Sequence, residues 1–304
     1  MPEHVLVGID LGATQIRMVA TGGKAKTGQI HWSRRVEARA PTLADLPRFL
    51  RRVWRRWRLS PGSVDALVVA ARGVWTVRER QAQQRRLGGL AKRVQVISDA
   101  EAAFLGALGD RPGVLVLAGT GSIVLGRDRR RRWARAGGLG PLLGDEGSGF
   151  WIGREWLRLR ARGRNLARIR KLARSPDAVR RVAGLAPAVL RRAERGHHAA
   201  RVIRANSQAL LAALACRVAR DLRLPNPVAV SWAGSLLENL AFRAGLWRAL
   251  RRLGVRTRVI VPAHPPVTAA HALAKRLADE HLRPGQPRGR RAAPSGPQRS
   301  PPRY

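Results

Sequence analysis

The sequence contains the same strand–turn–strand pattern twice, about a hundred residues apart. The first copy is an apolar run over residues 5–10 followed by Leu-Gly-Ala-Thr at 11–14. The second is an apolar run over 114–118 followed by Gly-Thr-Gly-Ser at 119–122, and a further apolar run follows each turn. A turn of small residues lets backbone N–H groups approach an anion closely, and its threonine adds a hydroxyl donor. Two copies predict two half-sites that close on one polyphosphate.

The length and composition are those of a globular protein with room for two domains. The 304 residues can bury two modest cores, and a hydrophobic content of 45 % is ordinary for such a protein. Cys216 is the one cysteine, which excludes a disulfide or an all-cysteine cluster within one chain. No apolar stretch approaches the ~20 residues that span a bilayer, and the first strand begins too early to leave room for a signal peptide. We therefore expect a cytoplasmic protein with no membrane partner.

The formal net charge of +40 arises from 59 Lys and Arg residues against 19 Asp and Glu residues. Such a surface attracts polyanions without specificity, and the attraction weakens as salt rises. One explanation is a general bias toward arginine at solvated positions, and the other is a selected role in nucleic-acid binding. The arginines are spread over the whole chain, which favours the bias. We expect no specific nucleic-acid partner.

The first part of the chain alternates between strands and helices. Three antiparallel strands come first, the third of them near residues 29–36. The apolar spacing then predicts a helix over 42–57, a strand over 64–70, a helix over 78–90, a strand over 94–97 and a helix over 100–108. Strand–helix alternation implies parallel additions to the opening meander. The polar Asp-Arg-Pro-Gly segment at 110–113 predicts a boundary between domains at 1–110 and 111–282.

The second part repeats this plan and then departs from it. Strands are predicted at 114–118, at 122–127 and near Trp133. A long helix over 147–172, a mostly helical segment over 176–222, strands at 228–232 and 255–261, and a last helix over 266–281 follow. We leave open that this last helix packs back on the first domain. The remaining residues, 283–304, are rich in Pro, Arg, Gly and Ser, which predicts a disordered basic tail.

Five segments, taken in order, resemble the motifs of known ATP-using enzymes. Residues 10–14 and 119–122 are similar to the two phosphate motifs of the actin-like ATPase and sugar kinase superfamily. Residues 137–153 resemble the glycine-rich substrate loop of N-acetylglucosamine kinases and the BadF/BadG/BcrA/BcrD ATPase family. Residues 98–103 resemble that family's catalytic aspartate segment, and residues 233–239 resemble its adenosine-side motif. The resemblance covers about residues 4–280 and includes the final helix.

This resemblance implies a fold, cofactors and site residues. The fold would be α/β, with two ribonuclease-H-like (actin-like ATPase) domains whose mixed sheets surround a central nucleotide cleft that binds ATP and Mg²⁺. Asp99 would be the catalytic base, and Asp10 would hold Mg²⁺ through water, because Mg²⁺ prefers few carboxylates. The residues implied in nucleotide binding are Gly12, Ala13, Thr14, Gly119, Thr120, Gly121, Ser122, Gly234 and Ser235. Those implied in binding a sugar acceptor are Asp99, Gly138, Leu139, Gly140 and Asp145.

Each of these residues also has a purely structural explanation. Asp10 is suited to capping a turn, Asp99 to capping the helix that it opens, and Asp145 to capping a helix at Gly147. The threonines of both turns are common turn residues, and the glycine–serine pair at 234–235 suits simple helix initiation. Ala13 occupies a position at which the family usually has glycine. Similarly, His197 and His198 and the arginine-rich segment 51–58 are better explained by solvated helix faces than by a metal or nucleic-acid site.

Three functions remain open from the sequence. The first is an ATP-dependent kinase that phosphorylates N-acetylglucosamine, glucosamine or a related hexose by in-line transfer. The second is an ATPase of the BadF/BadG type that drives a protein partner and needs no sugar. The third is a polyanion-binding protein on a kinase fold. The family branch that carries an iron–sulfur cluster does not fit, because Cys216 lies in a helical run far from the phosphate turns. A homodimer is left open.

Overall fold

The computed structural model describes residues 4–12, 14–23, 30–163 and 165–280. Ala13 and the predicted tail at 283–304 lie outside the described residues. Two five-stranded mixed sheets with flanking helices make up the described structure. Among the described residues, no helix combines the length and the apolar character needed to cross a bilayer.

The first sheet has the strand order β3-β2-β1-β4-β5. Its strands are β1 (His4–Leu11), β2 (Gln15–Gly23), β3 (Ile30–Arg39), β4 (Val64–Ala71) and β5 (Arg93–Ser98). β1, β2 and β3 form the predicted antiparallel meander, and β4 and β5 add to it in parallel. All eight residues of β4 are buried, as expected of a central strand covered on both faces.

The second sheet repeats this topology with the order β10-β9-β6-β7-β8. Its strands are β6 (Gly113–Ala118), β7 (Ser122–Arg127), β8 (Trp133–Gly137), β9 (Val228–Ala233) and β10 (Thr257–Val259). β6, β7 and β8 form a second antiparallel meander, and β9 and β10 extend it in parallel. The repeated plan, an antiparallel meander with two parallel additions, confirms the predicted fold class. The last predicted strand is shorter than expected.

Three α-helices lie in the described part of the first half. They are α1 (Leu46–Trp57), α2 (Val77–Arg86) and α3 (Asp99–Leu108). α1 buries Leu46, Leu50 and Trp54, and the indole N–H of Trp54 donates to the carbonyl oxygen of Leu90 at 2.9 Å. Val53 and Trp57 are half-buried beside this core.

The helices of the second half differ from the sequence-based expectation most clearly over residues 147–172. They are α4 (Gly140–Leu143), α5 (Gly149–Arg160), α6 (Asn165–Ala173), α7 (Ala178–Ala183), α8 (Ala186–Glu194), α9 (His198–Asp221), α10 (Leu240–Arg252) and α11 (Pro266–Asp279). The single helix predicted over 147–172 is wrong, because α5 ends at Arg160 and Gly163 adopts a positive φ of 54°. A left-handed residue interrupts the helical hydrogen-bond ladder. The mostly helical segment predicted over 176–222 is interrupted at Gly184 and near Gly196.

Two helices cross between the halves. α3 packs Phe104 against Leu115 and Ile123 of the second sheet. α11 packs Ala270 against the first sheet, and the backbone of His271 lies too close to Gly8 to leave room for a Cβ atom there. The last helix therefore returns to the first sheet, as we had left open. The domain limits at 1–110 and 111–282 stay a prediction, because the two halves exchange helices across them.

Candidate active site

Three parallel strands of the first sheet end at the same edge, and the predicted acidic residues lie there. In the sheet register, Leu11 of β1 pairs with Ala71 of β4, and Ala71 pairs with Ser98 of β5. Asp10 and Asp99 therefore occupy neighbouring positions at the carboxyl ends of β1 and β5. The carboxyl end of a parallel sheet is the usual place for a ligand in α/β proteins.

Asp10 is a buried carboxyl group with only 8 % of its surface exposed. Burial and the nearby charge of Asp99 raise the pKa of Asp10 to about 6, although Arg17 opposes this shift. The Nη1 atom of Arg17 lies 3.9 Å from Oδ2 of Asp10, and its Nε atom donates to Glu37 at 3.1 Å. A buried carboxylate whose one ion-pair contact among the described residues is this 3.9 Å approach of Arg17 is a suitable partner for Mg²⁺, which would favour the charged form.

We expect Asp10→Asn to stabilise the metal-free protein at neutral pH. The pKa of Asp10 is raised in the folded protein, so the folded state binds a proton more tightly than the unfolded chain. Stability from this group is therefore present below pH ~4 and is lost as pH rises toward ~6. At pH 7–8 the variant should gain up to about 3 kcal/mol, and near pH 4 the two proteins should be alike. Thermal unfolding across pH 4–8 in a chelator tests this, and parallel curves would contradict it.

Asp99 is free of the capping role that was its structural alternative. Ser98 is the N-cap of α3, since its Oγ accepts from the N–H of Glu101 at 3.1 Å. The Glu101 carboxylate in turn accepts from the N–H of Ser98 at 2.9 Å, which completes a capping box. The Asp99 carboxylate accepts a local bond from the N–H of Ala100 at 2.9 Å. Burial raises the pKa of Asp99, and a raised pKa suits a carboxylate to general-base chemistry.

The second phosphate turn is held on the N-terminal end of α5. Inside the turn, the N–H of Gly119 donates to the carbonyl oxygen of Gly121 at 2.9 Å. The carbonyl oxygens of Gly119 and Thr120 accept from the N–H groups of Gly149 and Phe150 at 2.8 and 3.0 Å. The turn is thus fixed in place by the first residues of that helix.

Asp145 connects the glycine-rich loop at residues 137–153, hereafter the acceptor loop, to this second phosphate turn. Its Oδ1 atom accepts from the N–H of Ser122 at 3.1 Å, and a Cβ atom placed on Gly121 would lie 2.8 Å from both carboxylate oxygens. Asp145 is buried, and burial raises its pKa despite that hydrogen bond. The capping alternative for Asp145 is wrong, because the N-cap of α5 is Ser148, whose Oγ accepts from the N–H of Trp151.

The N–H and the hydroxyl of Ser122 both donate hydrogen bonds within the protein. Its N–H binds Asp145, and its hydroxyl donates to the carbonyl oxygen of Glu146 at 2.7 Å. The side chain is buried. A contact between Ser122 and the nucleotide therefore stays a prediction. In the structure, Ser122 connects the second phosphate turn to the acceptor loop.

The acceptor loop depends on glycine at three positions. Gly137, Gly138 and Gly140 have φ angles of 73°, 73° and 80°, which residues with a Cβ atom adopt at a cost. Leu139 stands exposed among them, and the sequence analysis did not predict the short helix α4 that follows. The loop therefore presents backbone and the exposed apolar side chains of Leu139, Leu142 and Leu143 rather than polar groups.

The adenosine-side motif meets the second phosphate turn. Gly234 has a φ of 93° and lies so close to the carbonyl oxygen of Ala118 that no Cβ atom would fit. A cavity of about 380 Å³ opens beside the second phosphate turn. The residues that line the cavity are Gly119, Thr120, Gly149, Arg180, Ala183, Gly184, Ala186, Pro187, Leu190, Arg191, Ser235, Leu236 and Asn239.

This cavity brings together two predicted segments, 119–120 and 235, that are more than a hundred residues apart in the sequence. Its other wall consists of α7 and α8, which the sequence analysis did not assign to the site. Small and apolar residues on that wall suit the flat face of a base. Gly12 and Thr14 belong to the β1–β2 turn and are not part of the lining of the cavity. There, the N–H of Gly12 donates to the carbonyl oxygen of Gln15 at 3.0 Å.

Sequence reasoning missed one charged residue at the same sheet edge. Arg72 directly follows β4, and its N–H donates to the carbonyl oxygen of Leu11 at 3.4 Å. Its charge opposes the effect of burial on the pKa of both Asp99 and Asp145. The available signal was its position after a fully apolar strand, where ligand-contacting residues of α/β proteins occur.

Two mixed sheets of the same topology each have a glycine-containing turn after their first strand, and acidic residues lie at the carboxyl edge of the first sheet. These features define an actin-like ATPase fold. A family model for the BadF/BadG/BcrA/BcrD ATPase family matches residues 7–271. The chain therefore belongs to the BadF/BadG/BcrA/BcrD ATPase family.

Individual relatives carry the names of sugar kinases. The chain is 49 % identical over 69 residues to the N-acetylmuramic acid/N-acetylglucosamine kinase of Clostridium acetobutylicum. This match spans 23 % of the chain and 22 % of that kinase, so most of the relative's length lies outside it. A solved structure from Chromobacterium violaceum, provisionally called an N-acetylglucosamine kinase, is similar with a TM-score of 0.65, 23 % identity and coverage of 89 % of this chain and 98 % of that one. A second such structure, from Porphyromonas gingivalis, has a TM-score of 0.64, 22 % identity and coverage of 91 % and 99 %. At these identities the two structures show the fold alone.

Proposed function

We propose that the chain is an ATP- and Mg²⁺-dependent kinase that phosphorylates a hydroxyl group of an amino sugar. The observation that carries the proposal is the half-buried Asp99 carboxylate, which does not cap its helix and lies at the same sheet edge as Asp10. Membership of an ATPase family and the local match to a sugar kinase support the same conclusion. N-acetylglucosamine or a close derivative is the acceptor that we propose.

The proposed roles follow from where each group lies. Asp99 would accept the proton of the attacking hydroxyl as the new O–P bond forms, and Asp145 would orient the sugar beside the second phosphate turn. Asp10 would hold Mg²⁺ through water, and the bound ion would neutralise charge on the phosphates. The glycine turns at 12–14 and 119–122 would bind phosphate oxygens. Ser235, which lines the 380 Å³ cavity, would border the adenosine together with the preceding Gly234.

A panel of acceptors tests the proposal directly. ADP release would be measured with ATP and Mg²⁺ alone and with added N-acetylglucosamine, glucosamine, N-acetylmuramic acid or glucose, and the phosphorylated sugar would be identified by mass. We expect ADP release to require an acceptor and to match the sugar phosphate formed. ADP release that is equal with and without every sugar would instead favour an ATPase that drives a protein partner.

The remaining expectations of location and partners stay predictions. A cytoplasmic location and the absence of a specific nucleic-acid partner are not tested by the geometry. Salt titration of nucleic-acid binding separates the two explanations of the +40 charge, because non-specific binding weakens steeply as salt rises.

A further inference from the structure

A cavity apart from the proposed kinase site lies where α6 meets α7, and most of its lining is cationic. Its volume is about 610 Å³, and it shares no lining residue with the 380 Å³ cavity. Four of its six lining residues carry a positive charge, and none is aromatic. The residues that line this α6–α7 cavity are Ala167, Arg170, Lys171, Arg174, Ser175 and Arg181.

The cations of the α6–α7 cavity have little negative charge to pair with inside the protein. Three of them have exposed side chains that form no hydrogen bond or ion pair within the part of the chain that the structure describes, namely Arg170, Lys171 and Arg174. The fourth, Arg181, lies 3.9 Å from the carboxylate of Asp177. Asp177 is shared with Arg180, whose Nη2 atom lies 3.8 Å from its other carboxylate oxygen. The cavity therefore carries an excess of positive charge.

The segment that forms this cavity is more basic than the chain as a whole. Residues 158–181 contain ten Lys and Arg residues and one acidic residue, which is more than twice the average density of 59 in 304 residues. A uniform bias toward arginine does not produce this local excess. The dipole of α6 favours cations in its last turn, but it does not explain why Arg181 of α7 lines the same cavity.

Two of these cations also repel each other along the helix. The N–H of Arg174 donates to the carbonyl oxygen of Arg170 at 3.2 Å, so the two side chains are one helical turn apart. Like charges at this spacing destabilise a helix, and α6 has no buried side chain among its described residues to offset that cost. A bound anion would remove the repulsion.

The number of charges indicates what kind of anion fits. Four cations and one carboxylate leave an excess of three positive charges. A phosphate group carries about 1.5 to 2 negative charges at pH 7, so two such groups match that excess. Arginine also binds phosphate oxygens through paired N–H donors. Single-stranded nucleic acid is less suited, because its bases stack on aromatic side chains and this lining has none.

We propose that the α6–α7 cavity binds a small anion that carries at least two phosphate groups. The cavity adjoins the proposed kinase site along α7, because Arg180 lines the 380 Å³ cavity and Arg181 lines this one. The inference goes beyond the proposed function and does not depend on it.

Calorimetric titration with tripolyphosphate in the absence of Mg²⁺ tests the inference. The first variant combines Arg170→Ala with Arg174→Ala, and the second combines Arg170→Lys with Arg174→Lys. The matched control combines Arg51→Ala with Arg55→Ala. These two arginines are exposed and one turn apart on α1, so the control removes the same charge from the first half of the chain. Binding at the phosphate turns would persist in all three variants.

We expect a binding event in the wild type that the alanine pair on α6 weakens about tenfold or more, because two charge-assisted hydrogen-bonding groups are lost. The lysine pair should lie in between, since lysine keeps the charge without the paired donors. The control pair should bind as the wild type does. Thermal unfolding without anion checks that each variant is folded, which we expect because both α6 substitutions are at exposed positions.

Two further anions define the ligand. Inorganic phosphate should bind the wild type about tenfold or more weakly than tripolyphosphate, because a single phosphate group neutralises only part of the charge excess. Fructose 1,6-bisphosphate carries its two phosphate groups on a sugar. The tighter of tripolyphosphate and fructose 1,6-bisphosphate shows whether an inorganic or an organic phosphate compound is the better fit.

Three results would overturn the inference. Equal losses in the alanine pair on α6 and in the control pair would show that the basic surface attracts anions without a site. Binding that neither pair changes would place the anion elsewhere. A single-stranded oligonucleotide that binds more tightly than tripolyphosphate, and that loses affinity in the alanine pair on α6, would assign the cavity to nucleic acid. None of these results bears on the kinase proposal, which the panel of acceptors tests separately.

Discussion

Asp99→Asn should lower sugar phosphorylation by about 10²- to 10⁴-fold and leave nucleotide binding intact. General-base catalysis typically contributes a factor of this size, and asparagine cannot accept the proton of the sugar hydroxyl. The substitution keeps the size of the side chain. It also leaves the capping box between Ser98 and Glu101 in place, so α3 should form as before. The kinetic loss should therefore appear in kcat rather than in the amount of folded protein.

The measurement is ADP release with a saturating acceptor, together with calorimetric titration of ADP and Mg²⁺. Asp279→Asn is the matched control, because Asp279 is the exposed last residue of α11 and lies outside the site. It should behave as the wild type in both assays. Near-normal phosphorylation by Asp99→Asn would remove the base assignment, whatever the nucleotide affinity.

Gly234→Ala should destabilise the protein by about 3 kcal/mol and weaken nucleotide binding. Gly234 has φ 93° and ψ 149°, a combination that is open almost only to glycine. A Cβ atom at this position would also collide with the backbone at Ala118, directly before the second phosphate turn. Backbone strain and steric overlap each cost about 1–3 kcal/mol. Relief of the collision must shift β6 or the adenosine-side motif, and both border the proposed nucleotide site.

Thermal unfolding with and without ADP tests this expectation. The control is Gly62→Ala, since Gly62 has open space around it and no positive φ. This control should unfold at the temperature of the wild type or slightly above it, because alanine restricts the unfolded chain more than glycine. Equal unfolding temperatures for the two glycine variants would show that the close approach of Gly234 to Ala118 does not contribute to stability.

In α3 and α5 the N-cap is a serine and not the nearby aspartate that residue type alone had suggested. We gave Asp99 and Asp145 the capping role as their structural alternative, because aspartate is a favoured N-cap. Ser98 precedes Glu101 by three residues, however, which is the spacing of a capping box. Applying that pattern would have assigned the cap of α3 to Ser98. The same choice of serine over aspartate occurs at Ser148 in α5.

The broken helix between α5 and α6 shows a limit of apolar periodicity. The periodic pattern continues through residues 147–172, but periodicity reports only which face is buried. Gly163 takes a positive φ there, and a glycine inside a periodic pattern is compatible with both a continuous helix and a break. The surrounding packing of α5 against α7, α8 and α9 decided between the two.

Most of the elements and turns follow from short stretches of sequence. Strand patterns, glycine turns and acidic residues at strand ends depend on neighbours within a few residues, so the topology of both meanders and the positions of Asp10 and Asp99 were predictable. The contacts between distant groups followed from the packing of the folded chain. It placed Asp145 on Gly121, Gly234 on Ala118, and Arg72 between two acidic strand ends. These meetings depend on how whole sheets and helices pack, which no short stretch of sequence encodes.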